Sequence, residues 1–384
     1  MLDTKYMERA LALAERGRGY TNPNPLVGCV VVKEGQIIGE GWHQRYGDYH
    51  AERNALSGLT PEETVGSTVY VTLEPCCHQG KQPPCSDLII RHRPARVVIG
   101  SLDPNPLVAG GGVDKLRKAG ISVTIGVAQL HCEEQNIFFR HFMKTRRPYV
   151  AQKYAMTLDG KIAAADGDSK WVTGEESRRH VQELRRRYAG ILVGIGTVLA
   201  DDPLLTCRID PAAHPTRIIC DNHLRLPLDS QIVNTAVEVP TVVVCLPAAK
   251  QTKHDKWQQL VAQGIEFIEI VAEQSYWSTL LDALGERGID SLLIEGGGKI
   301  HGSCLTAQIA DYIYAYVAPK LIGGAAAASP IEGAGLQPMR QAVRLDDVIL
   351  TELGVDYLFA GRPNFSAAQA ENGDRLPSSR TDRL

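Results

Sequence analysis

Apolar residues at Met7, Ala10, Leu11 and Ala14 keep the i, i+3, i+4, i+7 spacing of one helix face and predict an amphipathic helix over about 4–17, closed by Gly17. The period then changes. The prolines of Thr21-Asn22-Pro23-Asn24-Pro25 forbid helix, the apolar run 26–32 reads as a strand, and a turn at Lys33-Glu34-Gly35 followed by 36–41 completes a hairpin. Helix formers over 50–59, a β-branched strand over 67–73, a loop resuming as helix from Cys85 to Arg91, and a strand over 96–101 come next. A glycine turn at Gly110-Gly111-Gly112, a short helix and a strand over 121–125 complete an alternation that predicts a three-layer α/β domain.

Leu130, Ile137, Phe138, Phe139 and Phe142 predict one bridging helix over 128–144, stopped by Lys144-Thr145-Arg146-Arg147-Pro148. The domain boundary is placed there, giving domains 1–146 and 147–363. The second half again alternates, with strands expected at 148–157, 190–194, 217–221, 241–246, 266–271, 291–295, 311–318, 348–353 and 355–359 and a helix over 175–188, so it too reads as α/β. Residues 197–208 read as a polar loop, and 364–384, almost without apolar residues, as a disordered tail.

A chain of 384 residues with formal net charge −3 carries no basic footprint, which favours a small-molecule substrate over nucleic acid. Nine cysteines, no secretory leader and no apolar run of membrane-spanning length point to the cytoplasm, where thiols stay reduced and free to bind metal, and away from membranes.

Chemistry concentrates at His50-Ala51-Glu52 and at Pro75-Cys76 with a later Cys85. One histidine and two cysteines leave a catalytic zinc its open position for water, whose pKa the ion lowers to about 7. His-x-Glu followed by Pro-Cys and a second cysteine is the zinc deaminase signature, in which the glutamate shuttles protons and is not a ligand, so Glu52 is assigned the catalytic role. The usual second half is Pro-Cys-x-x-Cys, whereas eight residues separate Cys76 from Cys85 here. Cys77 and His78 stand as rival ligands, with Cys76 preferred because it follows Pro75.

Asn22-Pro23-Asn24-Pro25 is echoed by Asp103-Pro104-Asn105-Pro106, either as two independent turns or as two rigid loops offering Asn24 and Asn105 to one pocket. In the second half Glu295-Gly296-Gly297-Gly298-Lys299 sits between a strand and a helix, as an anion-binding turn or a plain connection. Gly194-Ile195-Gly196 lacks the third small residue of a dinucleotide fingerprint. Arg185 and Arg208 offer a phosphate clamp or two solvated surface charges.

Together His-Ala-Glu, Thr-Leu-Glu-Pro-Cys with its long gap to Pro-Pro-Cys, Thr-Leu-Asp-Gly-Lys, Trp-Val-Thr and Val-Leu-Ala-Asp-Asp-Pro resemble the bifunctional deaminase/reductase family of riboflavin biosynthesis, over nearly the whole chain up to Arg362. The resemblance implies a cytidine-deaminase-like domain, then a dihydrofolate-reductase-like domain. It implies zinc held by His50, Cys76 and Cys85 for deamination of a phosphoribosylaminopyrimidinone, and NADPH reduction of the ribosyl group to ribityl. Carried across by motif, Asn24, His43, Lys81 and Asn105 resemble deaminase pocket residues, with Lys81 toward the phosphate. Ala155, Trp171, Thr197, Asp201, Asn222, Gly297, Gly298, Lys299, Ile300, His301, Gly302 and Ser303 resemble NADPH contacts. Ser169, Arg185, Leu205, Arg208 and Glu295 resemble contacts to the reductase substrate, Lys153 and Asp201 are the nearby titratable groups, and a homo-oligomer follows the family habit. The rival readings are a nucleic-acid or nucleoside deaminase with an accessory domain and a structural zinc module.

Overall fold

The computed structural model describes residues 2–79, 83–105, 109–271 and 276–366; Lys81 and the segment 367–384 lie outside the described residues. Two sheets organise the chain. The first joins β1 (Gly28–Lys33), β2 (Gln36–Trp42), β3 (Thr68–Leu73), β4 (Arg96–Ser101) and β5 (Ser122–Ile125) in the order β2-β1-β3-β4-β5. β1 runs antiparallel to β2 and β3, while β3, β4 and β5 are parallel.

Because side chains alternate across a strand, a continuous apolar run serves two faces. Val30, Val32, Tyr70 and Val98 meet Met7, Ala10 and Leu13 of helix Leu2–Ala14. Cys29, Val31, Val69, Val71, Val97 and Ile99 meet Ala51, Ala55, Ile89 and Leu116 on the other side, which makes the three layers expected. Helix Ala51–Leu56 lies so close to β2 that a Cβ on Gly41 would stand 2.3 Å from the Ala55 nitrogen, so glycine there seats the helix and with it His50.

The second sheet contains β6 (Tyr149–Thr157), β7 (Gly190–Gly194), β8 (Thr216–Cys220), β9 (Thr241–Cys245), β10 (Ile265–Glu269), β11 (Ser291–Gly296), β12 (Tyr312–Ala318), β13 (Arg344–Leu353) and β14 (Asp356–Asn364). Its order is β10-β9-β8-β7-β11-β6-β12-β14-β13, parallel through β12, with β14 and β13 added antiparallel. Leu192, Ile218, Val244 and Ile294 pack on Trp277, Leu280 and Leu284, and Ile191, Ile219 and Val243 pack on Val198, Ile232 and Leu260, so helices cover both faces.

Three expectations are corrected. The bridging helix is two, Gln129–Gln135 and Ile137–Thr145, because Asn136 leaves helical geometry to pair its buried amide with both the N–H and the carbonyl of Leu26 at 2.8 Å. The loop expected from 197 begins as helix Ile195–Asp201, since no turn residue intervenes before Asp202-Pro203. Asn364 belongs to β14, paired with Arg344, where its amide donates to Asp346 at 2.8 Å and so gives the polar side chain a partner within the strand pair.

Candidate active sites

Helix Ala51–Leu56 starts at His50, whose extended backbone places it outside the first turn and resolves how residues two apart address one centre. The metal loop leaves β3 at Leu73, and Cys85 opens helix Cys85–His92. His50 Nδ1 stands 3.6 Å from Cys76 Sγ and 3.5 Å from Cys85 Sγ, and the three ligand atoms lie within 4.8 Å of one another. Bonds of about 2.3 Å to sulfur and about 2.0 Å to nitrogen in a tetrahedron require a sulfur–nitrogen edge of about 3.5 Å, so the donor set fits zinc. Cys77 turns toward Gly111 and His78 lines the adjoining pocket; neither joins the cluster.

Glu52, one helix step inside the same turn, is 3 % exposed. Burial, reinforced by the nearby Cys76 charge, pushes its carboxyl up to about 7, where it can both take and give a proton. The Cys85 thiol hydrogen-bonds Cys76 and holds it as a thiolate well below the usual thiol range, while Cys85, facing that thiolate and buried, is pushed up.

A cavity of about 430 Å³ opens over this centre. Both proline-stiffened loops line it, through Asn24 and Asn105, together with His43, His50, Glu52 and Cys76. His43 is 3.2 Å from the Asn24 amide through Nε2 and 3.1 Å from the Tyr49 carbonyl through Nδ1, and burial lowers its pKa. Two contributors went unread in the sequence. Phe139 and Phe142 of helix Ile137–Thr145, with Arg146 just past its end, line this cavity too, so the basic stop signal supplies the cavity's one Lys or Arg among the described residues. Glu74, also 3 % exposed, accepts the N–H groups of Gly110 (3.0 Å), Gly112 (3.0 Å) and Val113 (3.2 Å), and so fixes the metal loop to the helix Gly111–Lys118 beyond the Asn105 loop. Its signal was an ionisable residue closing a buried strand.

The second cavity, about 510 Å³, is lined by Lys153 and Ala155 of β6, by Ser169 and Trp171, by Arg185 and Arg208, and by Glu295, Gly297 and His301 at the end of β11. Its place at the carboxyl ends of parallel strands is where open α/β sheets bind ligands. Arg185 donates to both Glu295 oxygens at 2.8 Å, so it is committed to that carboxylate, whereas Arg208 remains exposed. Burial opposes ionisation of Glu295, yet the charges of Arg185 and of Lys153, 3.7 Å away, overcome it and hold the carboxyl at about 2.

Thr197, Asn222 and Gly297 follow the ends of the neighbouring strands β7, β8 and β11. Gly297 has φ +92, Thr197 Oγ1 lies against the Gly296–Gly297 turn, and the buried Asn222 Oδ1 has no hydrogen-bond partner among the described residues. A helix start, a hydroxyl and an orphaned amide oxygen on one edge suit a nucleotide cofactor. Other assigned residues are placed differently. Gly298 and Gly302 face the 329–332 segment, where a Cβ on Gly302 would meet the Glu332 carbonyl at 1.5 Å; Ser303 accepts a hydrogen bond from Trp277 at 3.1 Å. Leu205 is buried with φ +54, Ile300 packs against Gly194, and Lys299 and Asp201 are exposed at their helices. Of the two titratable candidates, only Lys153 lines the cavity.

These two centres define a zinc-dependent hydrolytic deaminase joined to a nucleotide-dependent reductase. Residues 1–101 match the cytidine and deoxycytidylate deaminase zinc-binding region, and residues 148–359 match the RibD C-terminal domain. The riboflavin biosynthesis protein RibD of Actinobacillus pleuropneumoniae is 49% identical over 360 residues, covering 93% of this chain and 94% of the relative. Acinetobacter baumannii RibD superposes with TM-score 0.84 at 36% identity, covering 94% of this chain and 99% of that one. A Thermotoga maritima diaminohydroxyphosphoribosylaminopyrimidine deaminase/5-amino-6-(5-phosphoribosylamino)uracil reductase superposes with TM-score 0.79 at 37% identity and the same coverage.

The chain belongs to the RibD family. It is a bifunctional enzyme of riboflavin biosynthesis with a zinc-binding deaminase domain and an NADPH-dependent reductase domain, and the reading as a nucleic-acid deaminase with an accessory domain gives way to this one. Among the described residues, no helix is long and apolar enough to cross a membrane.

Proposed function

We propose that residues 1–146 deaminate 2,5-diamino-6-(5-phosphoribosylamino)pyrimidin-4-one and that residues 147–363 then reduce its ribosyl group to ribityl with NADPH, in the cytoplasm. The observation carrying this is the His50–Cys76–Cys85 cluster with protonatable Glu52 at the floor of a cavity sized for one aromatic ring and its substituents. Zinc, when bound by those three residues, supplies Lewis-acid activation of a water. Glu52 takes one proton of the attacking water and passes it to a ring nitrogen, then takes the second from the hydroxyl of the tetrahedral carbon and gives it to the departing amine, so that ammonia leaves as the carbonyl forms. Asn24, Asn105 and His43 orient the ring's polar edge from the cavity wall, and Arg146, which also lines the cavity, serves the phosphate; Lys81 is assigned to that phosphate by motif alone.

In the second cavity, Glu295 is kept ionised and rigid by Arg185 to receive the sugar hydroxyls, while Ser169 and Arg208 complete the substrate side. The nicotinamide cofactor supplies the hydride; Ala155, Trp171, Thr197, Asn222 and the turn at Gly297 hold it from the strand ends. The test supplies the diaminopyrimidinone ribotide and NADPH, following ammonia and nicotinamide absorbance separately. Both signals are expected. Ammonia without NADPH oxidation removes the reductase assignment, and NADPH oxidation without ammonia removes the deaminase one.

A further inference from the structure

The segment 18–24 belongs to the deaminase half by sequence, yet it is seated on the reductase half at successive positions. Gly19 approaches the Arg186 backbone so closely that a Cβ there would meet its carbonyl at 2.7 Å. The Tyr20 hydroxyl donates to Asp210 at 2.6 Å. Asn22 donates from one amide nitrogen to both oxygens of Asp290, at 2.8 and 2.9 Å. Two residues later Asn24 lines the deaminase cavity and meets His43, whose ring stands edge-on to the zinc ligand His50 with centroids 5.6 Å apart.

Asp290 is built as an anchor. It is 1 % exposed, also accepts the Ser291 hydroxyl at 2.7 Å, and lends its backbone carbonyl to Tyr149 at the start of β6. A carboxylate withdrawn from water holds its donors tightly, because an unmatched buried charge costs far more than the hydrogen bond itself contributes. The turn carrying Asn24 therefore has a rigid foundation that the deaminase half does not contain.

We propose that Asp290 of the reductase half is a positioning residue of the deaminase reaction, acting through Asn22 to set Asn24 in the pocket. The inference rests on the deaminase reading above and adds a dependence of one active site on the residue that leads into the other half's strand β11. Asp290 touches no substrate; its effect passes through one side-chain pair and two residues of backbone.

The full chain is compared with Asn22→Ala, Asp290→Asn and the exchanged pair Asn22→Asp/Asp290→Asn. The readouts are ammonia release, NADPH oxidation with the deaminated substrate supplied directly, and zinc content. Asn22→Ala and Asp290→Asn are expected to lower deaminase kcat/KM at least ten-fold, mainly through KM, with zinc content and reductase turnover retained. The exchanged pair restores an amide facing a carboxylate and is expected to recover most of the loss. Deaminase kcat/KM within two-fold of wild type in both single variants overturns the proposal. So does a parallel fall of both activities, or an exchanged pair no better than the single variants, since a merely structural role predicts those results. A wild-type chain that releases no ammonia removes the deaminase reading itself, and the inference with it.

Discussion

The two active sites are built on opposite plans. The deaminase centre draws its candidate metal ligands His50, Cys76 and Cys85, and Glu52 beside them, from two short stretches, at the entrances of two helices and the end of one strand, so local chain geometry sets most of that cluster. The reductase cavity takes single residues from strand ends, a helix flank and a distant loop, held by the order of nine strands. A metal demands particular side chains at particular bond lengths, whereas a nucleotide is held largely by backbone turns and shape. The first demand leaves a motif; the second leaves a topology.

That contrast breaks if the two sites fail together. Stripping zinc with a chelator should abolish ammonia release while NADPH oxidation of the deaminated substrate continues, and Glu52→Gln should reduce deamination about 10²–10⁴-fold with zinc still bound, as measured by metal analysis beside initial rates. Retained ammonia release in either experiment assigns the chemistry elsewhere. Glu295→Gln should act by the other plan: it strands Arg185 and Lys153 in a buried site, costing about 3–5 kcal/mol of stability in denaturant titrations and most of the reductase turnover. An unchanged denaturation midpoint would show that the ion pair is not structural.

Acid sharpens the comparison. Glu295, held at about 2 against an ordinary value of 4.5, contributes stability that is complete above pH 4.5 and is lost as pH falls toward 2. Asp290 has the opposite sign: burial pushes it up from 3.8 to about 6, so its contribution is complete below pH 3.8 and is lost as pH rises to 6. Melting temperatures across pH 2–6 should therefore fall for wild type relative to Asp290→Asn between pH 3.8 and 6, and fall for wild type relative to Glu295→Gln below pH 4.5. The smallest effect belongs to Trp171, which is 61 % exposed and stacked on Arg178 at 4.8 Å; Trp171→Ala should raise the NADPH KM several-fold and change stability by less than about 0.5 kcal/mol.

The same division explains what could be read in advance. Strand 96–101 and strand 190–194 were visible to the residue because apolar runs bounded by turn formers permit one period. The convergence of His50, Cys76 and Cys85 was visible because few chemistries other than metal binding need that set beside a glutamate two residues past the histidine. Glu74 was not, since a carboxylate that binds backbone N–H groups has no fixed partner residue to betray it. The break at Asn136 was hidden for a similar reason: its partner is the backbone of Leu26, 110 residues away. Gly298 shows the converse, part of a turn that reads equally as an anion site or a plain connection, while the fold brings the 329–332 segment against it.

The linking helix Ile137–Thr145 has two clients. Phe139 and Phe142 wall the deaminase cavity, while Phe138, from the same turn, packs on Tyr149 and Tyr188 with ring centroids 5.3 and 4.7 Å apart. The chain can therefore be cut into two activities on paper more readily than in the test tube. A chimera that exchanges the reductase half at residue 147 imports a foreign bed for Phe138, and the cavity wall made by its neighbours turns with it. One helical turn facing two ways ties the wall of one cavity to the packing of the other half.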